Sequence, residues 1–309
     1  MTSQSIPAAR SAHNERVPLR LRLAQRGIDG VTLLVLPAAL FIALLFVYPF
    51  LYGMNLSVQP KGGAESVGRF ANYVRFFSDS FLYDTILTTL WLALPVTIIN
   101  VVISIPVAMR VRLMRRQRLL TTILVLPVTL GAVLVAEGLL NYLGPQGWLN
   151  RTLMTFGLVA SPVRLVHNYW GVFIALIIHS FPFTFLLTLS YVTGIDPSLE
   201  QAASTLGAGP RARFRHIILP LLLPGLAITF CLSFVQDFAV FPSAVLLGAP
   251  AGPTRVISIA AYQAAFEEYD YSMASAIAMI MGFVQLLIVV TVLTSRGLFY
   301  RGPAGGAKG

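Results

Sequence analysis

The chain has 309 residues, of which 56% are apolar and only 11% are charged, and its formal net charge is +10. The apolar residues form runs of about 20 residues or more, the length that crosses roughly 30 Å of hydrocarbon, so the composition excludes a soluble globular protein. A single cysteine, Cys231, excludes a disulfide framework and a metal cluster built on thiolates.

Six apolar runs predict an all-α membrane protein with six membrane-spanning helices. The run after the first 30 residues lacks a small-residue cleavage site and is too long for a secretory signal, so it predicts an uncleaved first span. Residues 1–30 and 296–309 are then expected to be terminal tails. The six predicted spans are 31–54, 86–109, 119–143, 169–192, 217–247 and 273–295.

The basic residues predict the orientation of these spans, because Lys and Arg are retained in cytoplasmic loops. With both termini inside, sixteen of the 22 Lys and Arg residues fall on the inner side. Both tails and the segment 196–220 are therefore expected to be cytoplasmic. This bias explains the net charge as a mark of the inner membrane face and argues against nucleic-acid binding.

The sequence offers little that would support catalysis. Its four histidines lack the spacing of metal ligands, and neither GAPAGPT at 248–254 nor GPAGGAKG at 302–309 is a phosphate-binding loop. The chain is therefore expected to bind no metal and no ATP. The histidines are His13, His167, His179 and His216.

The stretch LEQAASTLGAGPRARFRHIILP at 199–220 is unusually polar for its place between two apolar runs. Asp196 predicts the N-cap of a helix that Pro197 opens, with Glu200 in the first turn. Gly207 and Gly209 are expected to end that helix, and Pro210 to start a second one.

The spacing of this stretch resembles the EAA loop of permease subunits of ATP-binding-cassette (ABC) importers. The stretch begins with QAA at 201–203, and Gly207 follows after three residues. Nine residues then separate Gly207 from Ile217, and one residue separates Ile217 from the pair Leu219 and Pro220. The usual glutamate is Gln201 here, and Glu200 stands one place earlier. NYVRFFSD at 72–79 and DTILTTLWLALP at 84–95 resemble the same family more weakly, whereas 140–163 and 232–248 resemble its spermidine/putrescine-type members.

The resemblance implies the type I ABC importer permease fold over residues 31–295, in a bacterial inner membrane. It implies a second homologous permease, two ATPase subunits that hold ATP and Mg, and an extracytoplasmic binding protein as partners, with membrane lipid around them. The chain itself would be no enzyme, and its loop helix would sit in a groove of an ATPase subunit. The residues expected in this contact are Glu200, Gln201, Ala202, Ala203, Gly207, Ala208, Arg211, Arg213, Phe214 and Pro220.

Polar side chains within predicted spans are candidates for the translocation pathway, because an ionisable group in hydrocarbon costs several kcal/mol. Glu137 is expected about 9 Å outward of the middle of the third span, and Asp237 near the middle of the fifth. With Tyr142, Gln236 and Phe238 they would suit a cationic, polyamine-like substrate. Each carboxylate is equally compatible with a helix-to-helix hydrogen bond.

Several alternatives remain at this stage. Related permeases import iron, phosphonates, opines or sugars, so the polyamine substrate is one possibility among these. A secondary transporter would need a coupling-ion site and often inverted repeats, and a membrane enzyme would need a nucleophile or a metal set. The sequence contains no evident example of any of these features.

Overall fold

A computed structural model describes the backbone of residues 30–59 and 68–299, and the side chains of 34–59 and 68–295. Within these ranges the secondary structure is entirely helical, and six helices are long and apolar enough to cross a membrane. The predicted all-α class is confirmed. The predicted tails lie outside the described residues, apart from Gly30 and the backbone of 296–299.

Twelve helices are described, and we number them in chain order. The long ones are α1 (Gly30–Ser57), α3 (Ser80–Val111), α4 (Gln117–Leu143), α6 (Tyr169–Thr193), α9 (Leu219–Phe238) and α12 (Tyr271–Phe299). The short ones are α2 (Ala71–Ser78), α5 (Trp148–Thr155), α7 (Pro197–Thr205), α8 (Pro210–Arg213), α10 (Pro242–Leu247) and α11 (Ile257–Tyr262). Two π-helical turns, Phe214–Ile218 and Gln263–Glu267, follow α8 and α11.

The chain divides into two units, residues 1–52 and 53–309. The described part of the first unit is most of α1, whose side chains from 34 to 52 are exposed and mainly apolar. Such a helix is suited to hydrocarbon surroundings.

In the second unit α3 is the central helix and packs on α6 and α9. Towards the C-terminal end of α3, an inner cluster joins Ala108 and Val111 to Phe185, Ile218 and Leu222. Nearer the N-terminal end of α3, a second cluster packs apolar residues of the same helix against α6 and the segment 240–259. Burial along both ends of α3 fixes the three helices against one another.

A seam of buried polar side chains, which we call the polar seam, joins α3, α6 and α9 between these clusters. Its eight side chains are at most 1% exposed, and small hydroxyl and amide groups let membrane helices approach closely while satisfying each other. The bonds are Thr97 Oγ1 to Asp237 Oδ2 (2.7 Å), Asn100 Nδ2 to Ser180 Oγ (2.7 Å), Ser104 Oγ with Thr188 Oγ1 (2.7 Å) and Thr184 Oγ1 with Ser233 Oγ (2.8 Å).

Two spans depart from the regular helices that the apolar runs predict. The fifth run is not one helix: α9 ends at Phe238, and α10 begins only at Pro242. Phe241, which precedes Pro242, has a non-helical φ of −137° with ψ of −61° and separates the two helices. In α4 the helix is interrupted at Gly131, whose φ of 76° lies in the left-handed region.

Candidate functional site

The segment 196–220 begins as the sequence predicts. Asp196 Oδ1 accepts a hydrogen bond from the backbone N–H of Ser198 at 2.8 Å, and Pro197 occupies the first position of α7. This hydrogen bond lowers the pKa of the Asp196 carboxyl below its ordinary value. The N-cap and the proline together define where the loop helix starts.

The helix ends at the predicted glycine through a Schellman motif. Gly207 has φ of +82°, its N–H donates to Ser204 O, and the N–H of Ala208 donates to Ala203 O, both at 3.0 Å. These two bonds satisfy carbonyls that the helix end leaves free, and the left-handed residue is most easily glycine. Gly209 then caps α8, which Pro210 opens as predicted.

One ion pair attaches α7 to the helical bundle. Arg112, directly after α3, donates through Nη2 to Glu200 Oε1 and through Nη1 to the carbonyl of Val192 at 3.2 Å. Val192 lies in the last turn of α6. The two charged side chains are only 10% and 21% exposed, so one guanidinium holds the ends of α3 and α6 and the first turn of α7 together.

The sequence reasoning missed this pair. It placed Glu200 in the first turn of the loop helix and in the contact with an ATPase subunit, and it gave Glu200 no partner within the chain. The available signal was an arginine directly after the second span and an acid shortly after the fourth span, since the ends of these two spans lie at the same membrane face. The structure gives Glu200 a partner within its own chain and leaves Gln201 exposed.

The remaining loop residues divide into an exposed set and an attached set. Gln201, Ala202, Gly207 and Arg211 are exposed, and Leu206 between them is 88% exposed. Ala203, Ala208, Arg213, Phe214 and Pro220 are half-buried, and Phe214 packs on the inner cluster of α3, α6 and α9. The exposed set lies on the surface of the described residues, and the attached set leads along the chain to α9.

The expected position of Asp237 near the middle of a span is wrong. Asp237 is the penultimate residue of α9, since the helix ends at Phe238 rather than continuing to 247. Its carboxylate is buried and accepts the hydroxyl of Thr97 in the polar seam, whereas Oδ1 has no hydrogen-bond partner among the described residues. A helix-to-helix contact accounts for this residue at least in part.

The other pathway candidates do not gather around Asp237. Phe238 is fully buried in an apolar cluster with Phe76 and Ile277. On α4, Glu137 and Tyr142 are exposed, and the amide of Asn141 donates to Glu137 Oε1 at 3.4 Å. Gln236 is half-buried, and no hydrogen bond between described residues joins it, Glu137 or Tyr142 to Asp237.

A groove that the sequence reasoning did not predict lies near the N-terminal end of α3. Its volume is about 420 Å³, and it is lined by Asp84, Trp91 and Tyr169, with Leu87, Thr88 and Pro253 beside them. Tyr169 donates its hydroxyl to the carbonyl of Trp91 at 2.7 Å. A carboxylate and two aromatic rings thus share one opening.

A second buried arginine fixes the segment between α10 and α11 to the same end of α3. Arg255 donates to Gln263 Oε1 at 2.9 Å and to the carbonyl of Phe81 at 3.0 Å, and its guanidinium lies 4.0 Å from the centre of the Phe81 ring. Burial lowers the pKa of Arg255, while the charges of Glu268, Asp79 and Glu267 oppose that shift.

Comparison with known proteins agrees with this architecture. Residues 101–301 match the family model described as "Binding-protein-dependent transport system inner membrane component". A probable sulfate transport system permease of Prototheca wickerhamii is 32% identical over 177 residues, covering 57% of this chain and 67% of that protein. An sn-glycerol-3-phosphate transport system permease of Yersinia pestis is 28% identical over 283 residues, covering 85% and 92% respectively.

A third relative is longer than this chain. It is a putative ferric transport system permease of Haemophilus influenzae, 29% identical over 242 residues, and the matched part is 74% of this chain but only 38% of that protein.

Solved structures give the same fold. A bacterial ABC transporter involved in the import of alginate contains a chain that superposes with a TM-score of 0.73 at 21% identity, covering 91% of this chain and 99% of that one. The MetNI methionine ABC transporter superposes with a TM-score of 0.54 at 15% identity, covering 72% and 100%. The fold is therefore that of type I ABC importer permeases, in a multi-pass inner-membrane protein. By its match over residues 101–301, the chain belongs to the family of inner membrane components of binding-protein-dependent transport systems.

Proposed function

We propose that this chain is one permease subunit of an ABC importer and that α7 receives the movement of an ATPase subunit. The observation that carries the proposal is the loop geometry: Gln201 on α7 and Leu206 directly after it are exposed, while Glu200 ties the helix to Arg112. An exposed helix with small and apolar side chains is suited to a groove on a partner.

The covalent and ionic links indicate how a movement of α7 would spread. Through Arg112 a displacement reaches the ends of α3 and α6 directly. Through α8 and the π turn Phe214–Ile218 it reaches α9 along the backbone. The polar seam then joins these three helices, so we expect them to move together.

The partners in this proposal are those of the family. A second, homologous permease and an extracytoplasmic binding protein complete the pathway, and two ATPase subunits hold ATP and Mg. The alginate transporter has also been solved with an alginate-bound periplasmic protein, which supports a binding-protein partner. We further propose that segment 196–220 and both termini face the cytoplasm, on the evidence of the basic residues.

Hydrolysis by the assembled complex tests the coupling role. Purified chain alone should hydrolyse no ATP, whereas the complex with its ATPase subunits should hydrolyse ATP faster when the loaded binding protein is added. ATP hydrolysis by the chain alone, or a complex that forms equally well after residues 199–208 are replaced by a Gly/Ser linker, would contradict the proposal.

For the substrate, we propose a small solute and retain a cationic, polyamine-like molecule as the prediction to be tested. The groove at Asp84, Trp91 and Tyr169 supports it, because a carboxylate and aromatic faces attract ammonium groups. The printed names of the relatives concern sulfate, ferric iron and sn-glycerol-3-phosphate instead. Iron, phosphonate, opine and sugar remain the alternatives.

Uptake by paired variants separates these possibilities. With a cationic substrate, Asp84→Asn should lower uptake, and Asp237→Asn should lower it further if the buried carboxylate also faces the pathway. Both substitutions preserve side-chain volume, so the protein level should be unchanged. Unchanged polyamine uptake in the double variant, or a binding protein purified with an anion bound, would exclude the polyamine prediction.

A further inference from the structure

Three arginines surround the N-terminus of α4. Arg115, Arg116 and Arg118 are all exposed. The two ion pairs found among the described residues involve Arg75 and Arg112 instead, so no described carboxylate neutralises the group. Basic residues in a loop at the membrane boundary are explained by orientation alone. These three, however, also lie beside a helix N-terminus and two cavities.

The start of α4 adds a second attraction for an anion. Arg116 is the N-cap residue, and no side chain accepts a hydrogen bond from the first turn of the helix. The N-terminus of a helix carries free N–H groups and a partial positive charge, which together favour phosphate. The guanidinium groups and the helix N-terminus therefore attract the same kind of ligand.

Two adjoining cavities lie beside these groups. The first, of about 620 Å³, is lined by residues 114–119. The second, of about 510 Å³, shares Gln117 and Arg118 with it and extends to Thr121, Thr122 and Leu189. Thr121 lines the second cavity, and its buried Oγ1 atom has no hydrogen-bond partner among the described residues.

An apolar groove of about 360 Å³ lies further along the same two helices. Ile123, Leu124 and Pro127 line it from α4, and Ile178 and Phe181 line it from α6. Ten residues separate Gln117 from Pro127, which is about 15 Å along a helix. Among the described residues that line the three cavities, none is acidic.

We propose that these three cavities form one binding site for an anionic phospholipid. The phosphate lies between Arg116, Arg118 and the first turn of α4, the glycerol region meets Thr121, and one acyl chain follows the apolar groove. The order of the cavities along α4 is the order of the parts of a lipid. This inference depends on membrane insertion and does not require the proposed coupling function.

Native mass spectrometry of the full chain in detergent tests the site. The probes are palmitoyl-oleoyl phosphatidylglycerol, phosphatidylcholine with the same acyl chains, and inorganic phosphate. We expect one phosphatidylglycerol to be retained about tenfold more tightly than phosphatidylcholine, given the attraction of anionic lipid to two arginines. Arg116→Gln with Arg118→Gln should remove that preference, and the double lysine variant at the same positions should keep most of it.

Two matched controls make the test specific. Arg211→Gln with Arg215→Gln removes the same charge from exposed positions elsewhere and should leave the preference unchanged. Ile123→Trp places a ring in the groove from an exposed position. It should weaken the binding of both lipids several-fold and leave the binding of inorganic phosphate unaltered.

The opposite results would overturn the proposal. If the two double glutamine variants lost the preference for phosphatidylglycerol equally, the lipid would be attracted diffusely to a basic surface. Phosphatidylglycerol binding that is insensitive to Ile123→Trp, or that inorganic phosphate abolishes at equal concentration, would mean an anion site without a lipid chain.

Discussion

Two arginines hold loops at opposite ends of α3, and they do so differently. Arg112 follows the C-terminus of the helix and connects Glu200 and the carbonyl of Val192. Arg255 meets the N-terminal end, where it contacts the ring and the carbonyl of Phe81 and the amide of Gln263. Arg112 forms an ion pair with a carboxylate, whereas the hydrogen bonds of Arg255 go to a side-chain amide and a backbone carbonyl.

The two loops differ in how strongly the surrounding residues restrict their movement. Beyond Glu200, α7 is mostly exposed, and its ion pair with Arg112 attaches its first turn to the helical bundle, so we expect a partner to be able to move the rest of the helix. The segment 254–257 around Arg255 is buried: Thr254 is fully buried, and Val256 and Ile257 are fully buried in apolar clusters. We infer that the Arg112 end transmits movement and that the Arg255 end resists it.

The largest expected effect comes from Gly207→Glu, which changes the free end of α7. The left-handed conformation strains a residue with a Cβ, and the long charged side chain would obstruct a groove contact. Substrate-stimulated ATP hydrolysis by the complex should be abolished while membrane insertion is kept. Gly207→Asn is the matched control, because Asn tolerates this conformation; normal stimulation in the Glu variant would place the contact elsewhere.

Reversing the charge of Arg112 in its ion pair with Glu200 should have the next largest effect. Arg112→Glu places two carboxylates together, and we expect stimulated hydrolysis to fall by at least about tenfold, within the range of coupling energies between sites. Combining it with Glu200→Arg should restore much of the loss.

This rescue distinguishes coupling from a simple loss of stability. The complex should be recovered in equal yield in both variants, measured by co-purification of the ATPase subunits. If the single variant keeps full stimulation, the ion pair does not carry movement to α3 and α6.

At the other end of α3, Arg255→Met should lower stability and spare coupling. It removes two hydrogen bonds from a charged donor and a cation–π contact, so we expect a loss of about 2–3 kcal/mol. Thermal unfolding in detergent should show a lower Tm, with Arg255→Lys intermediate. A variant with unchanged Tm but lost stimulation would reverse the assigned roles of the two ends.

The smallest expected effect is a pH dependence at the start of α7. The hydrogen bond from Ser198 lowers the folded pKa of Asp196 below its ordinary value of 3.8. The stabilisation is therefore fully present above that value and is lost as the pH falls through the lower folded pKa. Hydrogen exchange should show faster opening of the Ser198 amide below about pH 4 in wild type only, with Asp196→Asn insensitive to pH over this range.

The sequence predicted most of the backbone of this protein and less of its side-chain geometry. Apolar runs and capping residues locate α4, α6 and α7 because they depend on local composition. The end of α9 was misplaced because hydropathy continues to 247 across the break before Pro242. The contact of Arg112 with Glu200 joins residues 88 positions apart, and no local pattern specifies such a pair.

The polar seam has a consequence for how the protein is made. Two of its four bonds join α3 to α6, whereas the Thr97 and Thr184 hydroxyls meet partners on α9, which is synthesised later. A nascent chain can thus pair its second and fourth spans before the fifth leaves the ribosome. Asp237 enters the bilayer at the end of α9, where a hydroxyl already held by the earlier pair can receive it. The order of synthesis therefore brings the most costly side chain of the seam into an environment that is already partly polar.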